Sequence, residues 1–272
     1  MSKASPEKTK KQDQQYDFSR LHVWNIRLAV LYALQAGVIL LLSTTKLFPV
    51  QTTYLTQDPI ATELAGHPVI TSATRHLWDV NLAYLVAAFL LIAAVGHILV
   101  ATLYRPQYEA GLQKGSNPVR WFSYALSGGT MLFAIAVLSG IADLATLGMI
   151  FASTILTFIT GLMIESRISK KEHKSHLACA VAVIAGLVPW LVVGWYLWSA
   201  SVYGGGHIPA FVYWMAVIIF VCFASISGIV HLELKQIGKW AQYAYAERAF
   251  MILSLVTGTA LAWQLFMGAL KP

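Results

Sequence analysis

Seven stretches of about 20 mostly apolar residues occupy most of the 272-residue sequence. An α-helix needs this length to cross the hydrocarbon core of a lipid bilayer. The stretches are 23–45, 80–104, 121–144, 146–164, 177–199, 211–232 and 245–270. Since they use nearly all of the chain, the sequence predicts a single domain of the all-α membrane class, built as a seven-helix bundle.

The composition excludes most soluble classes. Only 11% of the residues are charged and 57% are hydrophobic, whereas about 25% of the residues in a soluble domain are charged. The net charge of +7 resides in loops and tails, so we interpret it as an orientation signal and not as a nucleic-acid surface. Cys179 and Cys222 fall inside apolar stretches and predict neither a disulfide nor a metal site.

Lys and Arg residues alternate between the two sides of the predicted bundle. One side holds Lys3, Lys8, Lys10, Lys11 and Arg20 before the first span, Arg105, Lys114 and Arg120 after the second, Arg167, Lys170, Lys171 and Lys174 after the fourth, and Lys235 and Lys239 after the sixth. The other side holds Lys46, Arg75 and Lys271. Because cytoplasmic loops carry the excess of positive charge, we expect a cytoplasmic N-terminus and an extracellular C-terminus in the plasma membrane. The same topology places Trp121 at the inner interface.

Two segments outside the spans have patterns of their own. Residues 1–20 are charged and lack apolar periodicity, which predicts a disordered basic cytoplasmic tail before a transmembrane domain at 21–272. The longest loop, 47–78, contains two β-branched runs at 50–56 and 68–74. Such runs predict a short extracellular β-hairpin between the first two spans.

Ionisable residues are absent from the middles of the predicted helices. This absence argues against a proton relay or a charged ion pathway, which needs such groups at membrane depth. His97 faces an apolar stretch near the inner end of the second span. It is either a hydrogen-bonded packing histidine or part of a polar inner cavity with Tyr32 and Gln35.

Small and hydroxyl side chains are frequent in the third, fourth and seventh spans. They permit close helix packing or leave a small polar pocket between the third and seventh spans. Pro189 lies inside the fifth span and should kink it, because proline removes a backbone donor. Local packing or a Ser or Thr side chain can satisfy the freed carbonyl. No motif of a soluble enzyme is present, so we expect no enzymatic activity.

Several motifs resemble those of the heliorhodopsins, a seven-helix family with a cytoplasmic N-terminus and a rhodopsin-like bundle. The similar motifs are NPVRW at 117–121, YALS at 124–127, GIADL at 140–144, GLMIE at 161–165, GKWAQY at 238–243, LSLV at 253–256 and LAWQ at 261–264. The resemblance extends over nearly the whole chain.

Heliorhodopsins hold retinal as a protonated Schiff base on a lysine that follows the LSLV motif by two positions. The matching position here is Gly258, and Ser123 stands at the position of the glutamate counterion. Tyr124 and Ser254 match pocket positions of the family. His97 matches a histidine of the inner cavity, and Tyr32 stands where relatives can carry a second histidine.

The resemblance therefore implies a heliorhodopsin-like protein with a vestigial pocket and no covalent cofactor, because glycine has no amine. We expect a light-independent signalling or regulatory scaffold that acts through an unidentified protein partner. A homodimer is implied by the family alone. The alternative is noncovalent binding of retinal, a carotenoid or a lipid in the vacated pocket. A channel or transporter is a third possibility, which the absence of ionisable groups at mid-depth disfavours.

Overall fold

A computed structural model of the protein describes residues 6–170, 176–205 and 208–272, with side chains described from residue 19 onward and not at residue 176. The elements within these residues are α1 (Pro6–Leu42), β1 (Leu47–Gln57), α2 (Pro59–Ala65), β2 (Ile70–Asn81), α3 (Leu82–Ala101), α4 (Arg105–Lys114), α5 (Pro118–Leu138), α6 (Leu144–Ser169), α7 (His176–Tyr203), α8 (Ala210–Lys235) and α9 (Tyr243–Leu265), with a 3-10 turn at Gly238–Ala241 and a π-helical turn at Phe266–Leu270. Of the tail expected to be disordered, residues 1–5 lie outside the described residues, and residues 6–20 form the first part of α1.

Within the described residues, seven helices are long and apolar enough to cross a membrane, which confirms the predicted seven-span bundle. Their spans are Ser19–Leu42, Leu82–Ala101, Pro118–Leu138, Leu144–Ser169, Leu177–Tyr203, Ala210–Lys235 and Tyr243–Leu270. In the apolar window of α5, 67% of the residues are buried, against 17% in α7. Helix α5 is therefore the central helix, and α7 turns most of its surface outward.

The third span ends earlier than the hydropathy predicted, at Leu138 instead of residue 144. Gly140 has a φ of 89°, a left-handed conformation that glycine adopts without steric cost. Asp143 then caps α6, because its side chain accepts a hydrogen bond from the Thr146 backbone N–H at 2.9 Å. Turn chemistry at these two residues thus sets the boundary inside a continuous apolar stretch.

The predicted β-hairpin is present between α1 and α3. Strands β1 and β2 are antiparallel, with Leu47 opposite Asn81 and Gln57 opposite Ile70. Helix α2 lies between the two strands, and β2 extends beyond the predicted run as far as Asn81. The Gln51 backbone N–H donates to the Ala142 carbonyl at 2.9 Å, which fixes the hairpin to the α5–α6 turn. We call this side of the bundle the hairpin end, and the opposite side the α4 end.

Pro189 lies inside α7 without ending the helix. The carbonyl that loses its usual donor belongs to Ala185, four residues earlier. The Ser153 hydroxyl of α6 donates to this carbonyl at 2.7 Å. The expected compensation by a neighbouring hydroxyl is therefore confirmed, and it also joins α6 to α7.

Close packing of α5 and α6 depends on glycines. A Cβ added at Gly129 would lie 2.8 Å from the ring of Phe151, and one added at Gly161 would collide with the ring of Trp121. A large aromatic side chain of one helix thus lies on the bare backbone of the other. This arrangement agrees with the role of small residues in membrane helix packing.

Candidate functional site

The five predicted site residues line one cavity in the middle of the bundle. This central cavity has a volume of about 40 Å³. Its lining includes the polar side chains of His97, Ser123, Tyr124 and Ser254, together with Tyr32, and the backbone of Gly258. Its apolar walls include Phe89, Met131, Phe158, Phe223 and Ile226. The structure therefore brings together residues from α1, α3, α5, α6, α8 and α9.

Tyr32 of α1 fills the space in front of Gly258. Its side chain is buried, with 1% of its surface exposed. A Cβ added at Gly258 would lie 3.1 Å from Cε1 of Tyr32. The Tyr32 hydroxyl lies 3.0 Å from Oγ of Ser254, and its ring stacks on His97 with centroids 5.7 Å apart. Tyr32 is thus held by α9 on one side and by α3 on the other.

Ser123 and Tyr124 occupy the α5 wall of the central cavity. Ser123 packs directly on the backbone of Gly96 in α3, where an added Cβ would collide with the serine side chain. The Tyr124 hydroxyl donates to the Phe250 carbonyl of α9 at 2.7 Å. Both polar side chains are therefore engaged in contacts between helices.

The central cavity does not provide the attachment point of a retinal Schiff base. Glycine at position 258 supplies no amine, and within the described residues none of the side chains that line the cavity is a lysine. Pockets for drug-sized ligands have volumes of roughly 300–1,000 Å³, whereas this cavity measures about 40 Å³. The residues present therefore do not fit a covalently bound retinal, and the free volume suits only a few water molecules.

A cluster of buried charges lies at the α4 end of the bundle. Arg120 of α5, Glu165 of α6 and Glu247 of α9 are 6%, 1% and 2% exposed. The Arg120 guanidinium donates to both carboxylates, through Nη2 to Glu165 and through Nη1 to Glu247. It also lies over the ring of Phe250, at 4.0 Å from the centroid. We call Arg120, Glu165 and Glu247 the ionic cluster.

Neutral donors satisfy the remaining carboxylate lone pairs of the ionic cluster. Glu165 accepts hydrogen bonds from the Asn117 backbone N–H at 2.5 Å, from Nε1 of Trp121 at 2.5 Å and from the hydroxyl of Tyr243 at 2.8 Å. Glu247 accepts from Nδ2 of Asn117 at 2.7 Å and from the hydroxyl of Tyr108 at 3.2 Å. Buried charges are tolerated when they are paired and hydrogen-bonded in this way. The cluster thus ties α4, α5, α6 and α9 together.

A chain of hydrogen bonds joins the central cavity to the ionic cluster. Nδ1 of His97 lies 2.7 Å from Oδ1 of Asn25, and Nδ2 of Asn25 donates to the Leu21 carbonyl and to the hydroxyl of Tyr108. Because the amide nitrogen has these two acceptors, its oxygen faces His97, and the imidazole must donate from Nδ1. Tyr108 then donates to Glu247.

Tyr108 belongs to α4, outside the spans, and its side chain is buried. Burial raises the pKa of its hydroxyl above the ordinary value, and the negative charge of Glu247 raises it further. The hydroxyl therefore stays protonated and keeps its role as a donor. A second cavity of about 20 Å³ follows the same route and is lined by His97, Asn25, Arg120 and Glu247, among others.

The ionic cluster was not predicted from the sequence, and the interpretations of Trp121 and Arg120 were wrong. Trp121 was placed at the inner membrane interface, but it is buried, with 2% of its surface exposed, and it donates to Glu165. Arg120 was counted as a loop charge, but it lies in the first turn of α5. Gln35, expected beside His97, instead accepts a hydrogen bond from Trp263. The available signal was the presence of Arg120, Trp121 and Glu165 inside the family-like motifs.

In the part of the chain that the structure describes, no group of three or more His, Cys, Asp or Glu side chains is placed to bind a metal ion.

Comparison with known proteins gives one family. A family model described as "Heliorhodopsin" matches residues 21–270. The matched region contains all five predicted site residues and the whole ionic cluster. No curated protein matches the chain.

Proposed function

The chain belongs to the heliorhodopsin family, and from that premise we propose that it is a light-independent member that carries no covalent retinal. It is a membrane protein, and the part of the chain that the structure describes contains seven helices long enough to span the bilayer. In this proposal the intact scaffold acts in signalling or regulation through an unidentified protein partner. No enzymatic step is part of the proposal.

The observation that carries the proposal is the place of Gly258 in the central cavity. The position that would have to bear the amine has no side chain, and the ring of Tyr32 lies against it. Lys46 and Lys235 lie outside the residues that line the cavity. An imine requires a primary amine, so no covalent retinal adduct is expected.

The absence of a counterion supports the same proposal. A buried carboxylate at position 123 would be uncompensated without a cation at 258, and breaking a buried ion pair by removing one partner costs about 3–5 kcal/mol. Ser123 avoids this cost. Its small side chain packs on Gly96, so the α3–α5 contact is also adapted to serine.

The topology and assembly belong to the proposal as well. The α4 end is proposed to face the cytoplasm, because most Lys and Arg residues fall on that side. The protein is then a multi-pass protein of the plasma membrane with an extracellular hairpin and C-terminus. A homodimer is proposed by analogy with the family.

Retinal reconstitution tests the main proposal. The full chain is purified in detergent after addition of all-trans retinal, beside a heliorhodopsin that has the lysine. We expect no visible absorption band and no retinal-bound peptide by mass spectrometry after reduction with borohydride. A band that survives denaturation as a retinal–lysine adduct would overturn the proposal.

Noncovalent binding of retinal, a carotenoid or a lipid is the second candidate. The aromatic and aliphatic walls of the central cavity favour it, because apolar walls with a few polar groups are typical of ligand pockets. Native mass spectrometry and organic extraction of the purified protein test it. A bound hydrophobic molecule, or a retinal band that disappears on denaturation, would support this candidate, and its consistent absence would exclude it.

A further inference from the structure

We propose that Tyr32 closes the central cavity, and that Tyr32 and Gly258 form a matched pair in which the phenol ring takes the space that a side chain at position 258 would need. This inference rests on the proposed function and adds a second barrier to it. Loss of the lysine removes the attachment point, whereas Tyr32 removes the room for a ligand.

The contacts of Tyr32 with α9 place its ring across one face of that helix. Ser254 and Gly258 are four residues apart on α9, so they lie on the same face, one turn apart. The hydroxyl of Tyr32 lies 3.0 Å from Oγ of Ser254. Atoms of the same ring lie 3.1–3.8 Å from the place of a Cβ at Gly258. Only glycine at position 258 leaves the ring undisturbed.

The ring is also held by a residue of α3, His97. It stacks on His97 with an interplanar angle of 12°. His97 is fixed by its 2.7 Å hydrogen bond to Asn25, and Asn25 is fixed by its 2.9 Å bond to the Leu21 carbonyl. A side chain at position 258 must therefore displace the ring of Tyr32, by a few tenths of an ångström even for the Cβ of alanine.

Removal of the ring should enlarge the central cavity. Tyr32 is one of its walls, together with apolar side chains that include Phe158 and Phe223. Cavities left by large-to-small substitutions collapse only in part. The Tyr32→Ala protein should therefore have an apolar slot between α1, α3 and α9 that the wild-type protein lacks.

The first test restores the lysine and its counterion, then removes the Tyr32 ring, and uses all-trans retinal as the probe. The wild-type chain, the Gly258→Lys/Ser123→Glu double variant and the same double variant with Tyr32→Ala are compared by absorption and by the borohydride-trapped adduct. We expect no adduct in the wild type, little in the double variant and a clear gain in the triple variant. Equal pigment in the double and triple variants would overturn the role of Tyr32, whereas pigment in the wild type would overturn the proposed function instead.

The second test decides the inference if the multiple variants do not assemble. Gly258→Ala is made in the wild type, in Tyr32→Phe and in Tyr32→Ala, and the melting temperature in detergent is measured. We expect the substitution to lower the melting temperature when a ring is present at position 32, and to leave or raise it with Tyr32→Ala, because alanine favours a helix more than glycine does.

Gly37→Ala is the matched control, since a Cβ at this glycine of α1 would meet nothing within 4 Å. It should have the same small effect in all three backgrounds. An equal change for Gly258→Ala with and without the ring would show that the two residues are not coupled, and would overturn the proposed pair.

Discussion

The central cavity and the ionic cluster lie in the same bundle and share α5 and α9, but they differ in charge and in packing. The cavity is neutral, and about 40 Å³ of free volume remains in it. In the cluster, one guanidinium bridges two buried carboxylates, and neutral donors complete their hydrogen bonding. Buried charge is kept where every charge has partners, and is absent where the family resemblance expects an ion pair. We therefore expect the loss of a polar partner to cost more stability at the α4 end than in the central cavity.

The largest expected effect is that of Arg120→Met. It leaves Glu165 and Glu247 buried without their cation, so the free energy of unfolding should fall by about 3–5 kcal/mol. The measurement is the midpoint of SDS-induced unfolding in mixed micelles. A variant as stable as the wild type would show that the ionic cluster does not stabilise the α4 end.

A charge-matched variant separates lost charge from lost packing. Arg120→Met combined with Glu165→Gln and Glu247→Gln removes all three charges, and neutral replacements of buried ion networks are often well tolerated. We expect the triple variant to be more stable than Arg120→Met alone. If it is less stable, the hydrogen bonds that the two carboxylates accept from neutral donors matter more than their unpaired charge, since Arg120 is absent from both variants.

Gly161→Ala should have the next largest effect. The added methyl group collides with the Trp121 ring, beside the bond from Trp121 to Glu165, and such overpacking costs about 1–3 kcal/mol. Gly148→Ala on the same helix is the control, because a Cβ there would meet nothing within 4 Å. The two variants are compared by melting temperature in detergent. Equal melting temperatures would mean that the α5–α6 contact at the cluster is loose.

The contrast between the two regions also explains what the sequence could predict. Hydropathy alone gives the seven spans, because each span is a property of one continuous stretch. The residues of the central cavity were predicted from the resemblance, which assigns Ser123, Tyr124, Ser254 and Gly258 to pocket positions of the family. The ionic cluster joins α5, α6 and α9, and contacts between helices depend on how each helix is rotated. Neither composition nor periodicity contains that rotation.

Trp121 shows the same limit on a single residue. A tryptophan at a helix end ordinarily predicts the membrane interface, but here its indole N–H points to a buried carboxylate of another helix. Only knowledge of where Glu165 lies in space distinguishes the two environments.

Asn25 tests whether the two regions are coupled. Asn25→Leu removes the bonds to His97 and to Tyr108 and leaves the buried polar partners unsatisfied, so it should cost about 1–3 kcal/mol. A double-mutant cycle with Tyr108→Phe measures the shared part, expected at about 0.5–1.5 kcal/mol because the two residues belong to one hydrogen-bonded chain. The unfolding midpoints of the two single variants and the double variant give this value. Strict additivity would mean that the cavity and the cluster are independent.

Ser254→Ala should have the smallest effect. It removes the partner of the Tyr32 hydroxyl, and an intramolecular hydrogen bond contributes a net of about 0.5–1.5 kcal/mol. The adjacent free volume of about 40 Å³ can admit a water molecule that bonds to the hydroxyl instead, so the loss should lie at or below the lower limit. Tyr32→Phe removes the same hydrogen bond by deleting the Tyr32 hydroxyl, so no phenol hydroxyl is left without a partner. The melting temperature of Tyr32→Phe should be similar to that of Ser254→Ala. A loss as large as that of Arg120→Met would show that the centre is as intolerant as the α4 end.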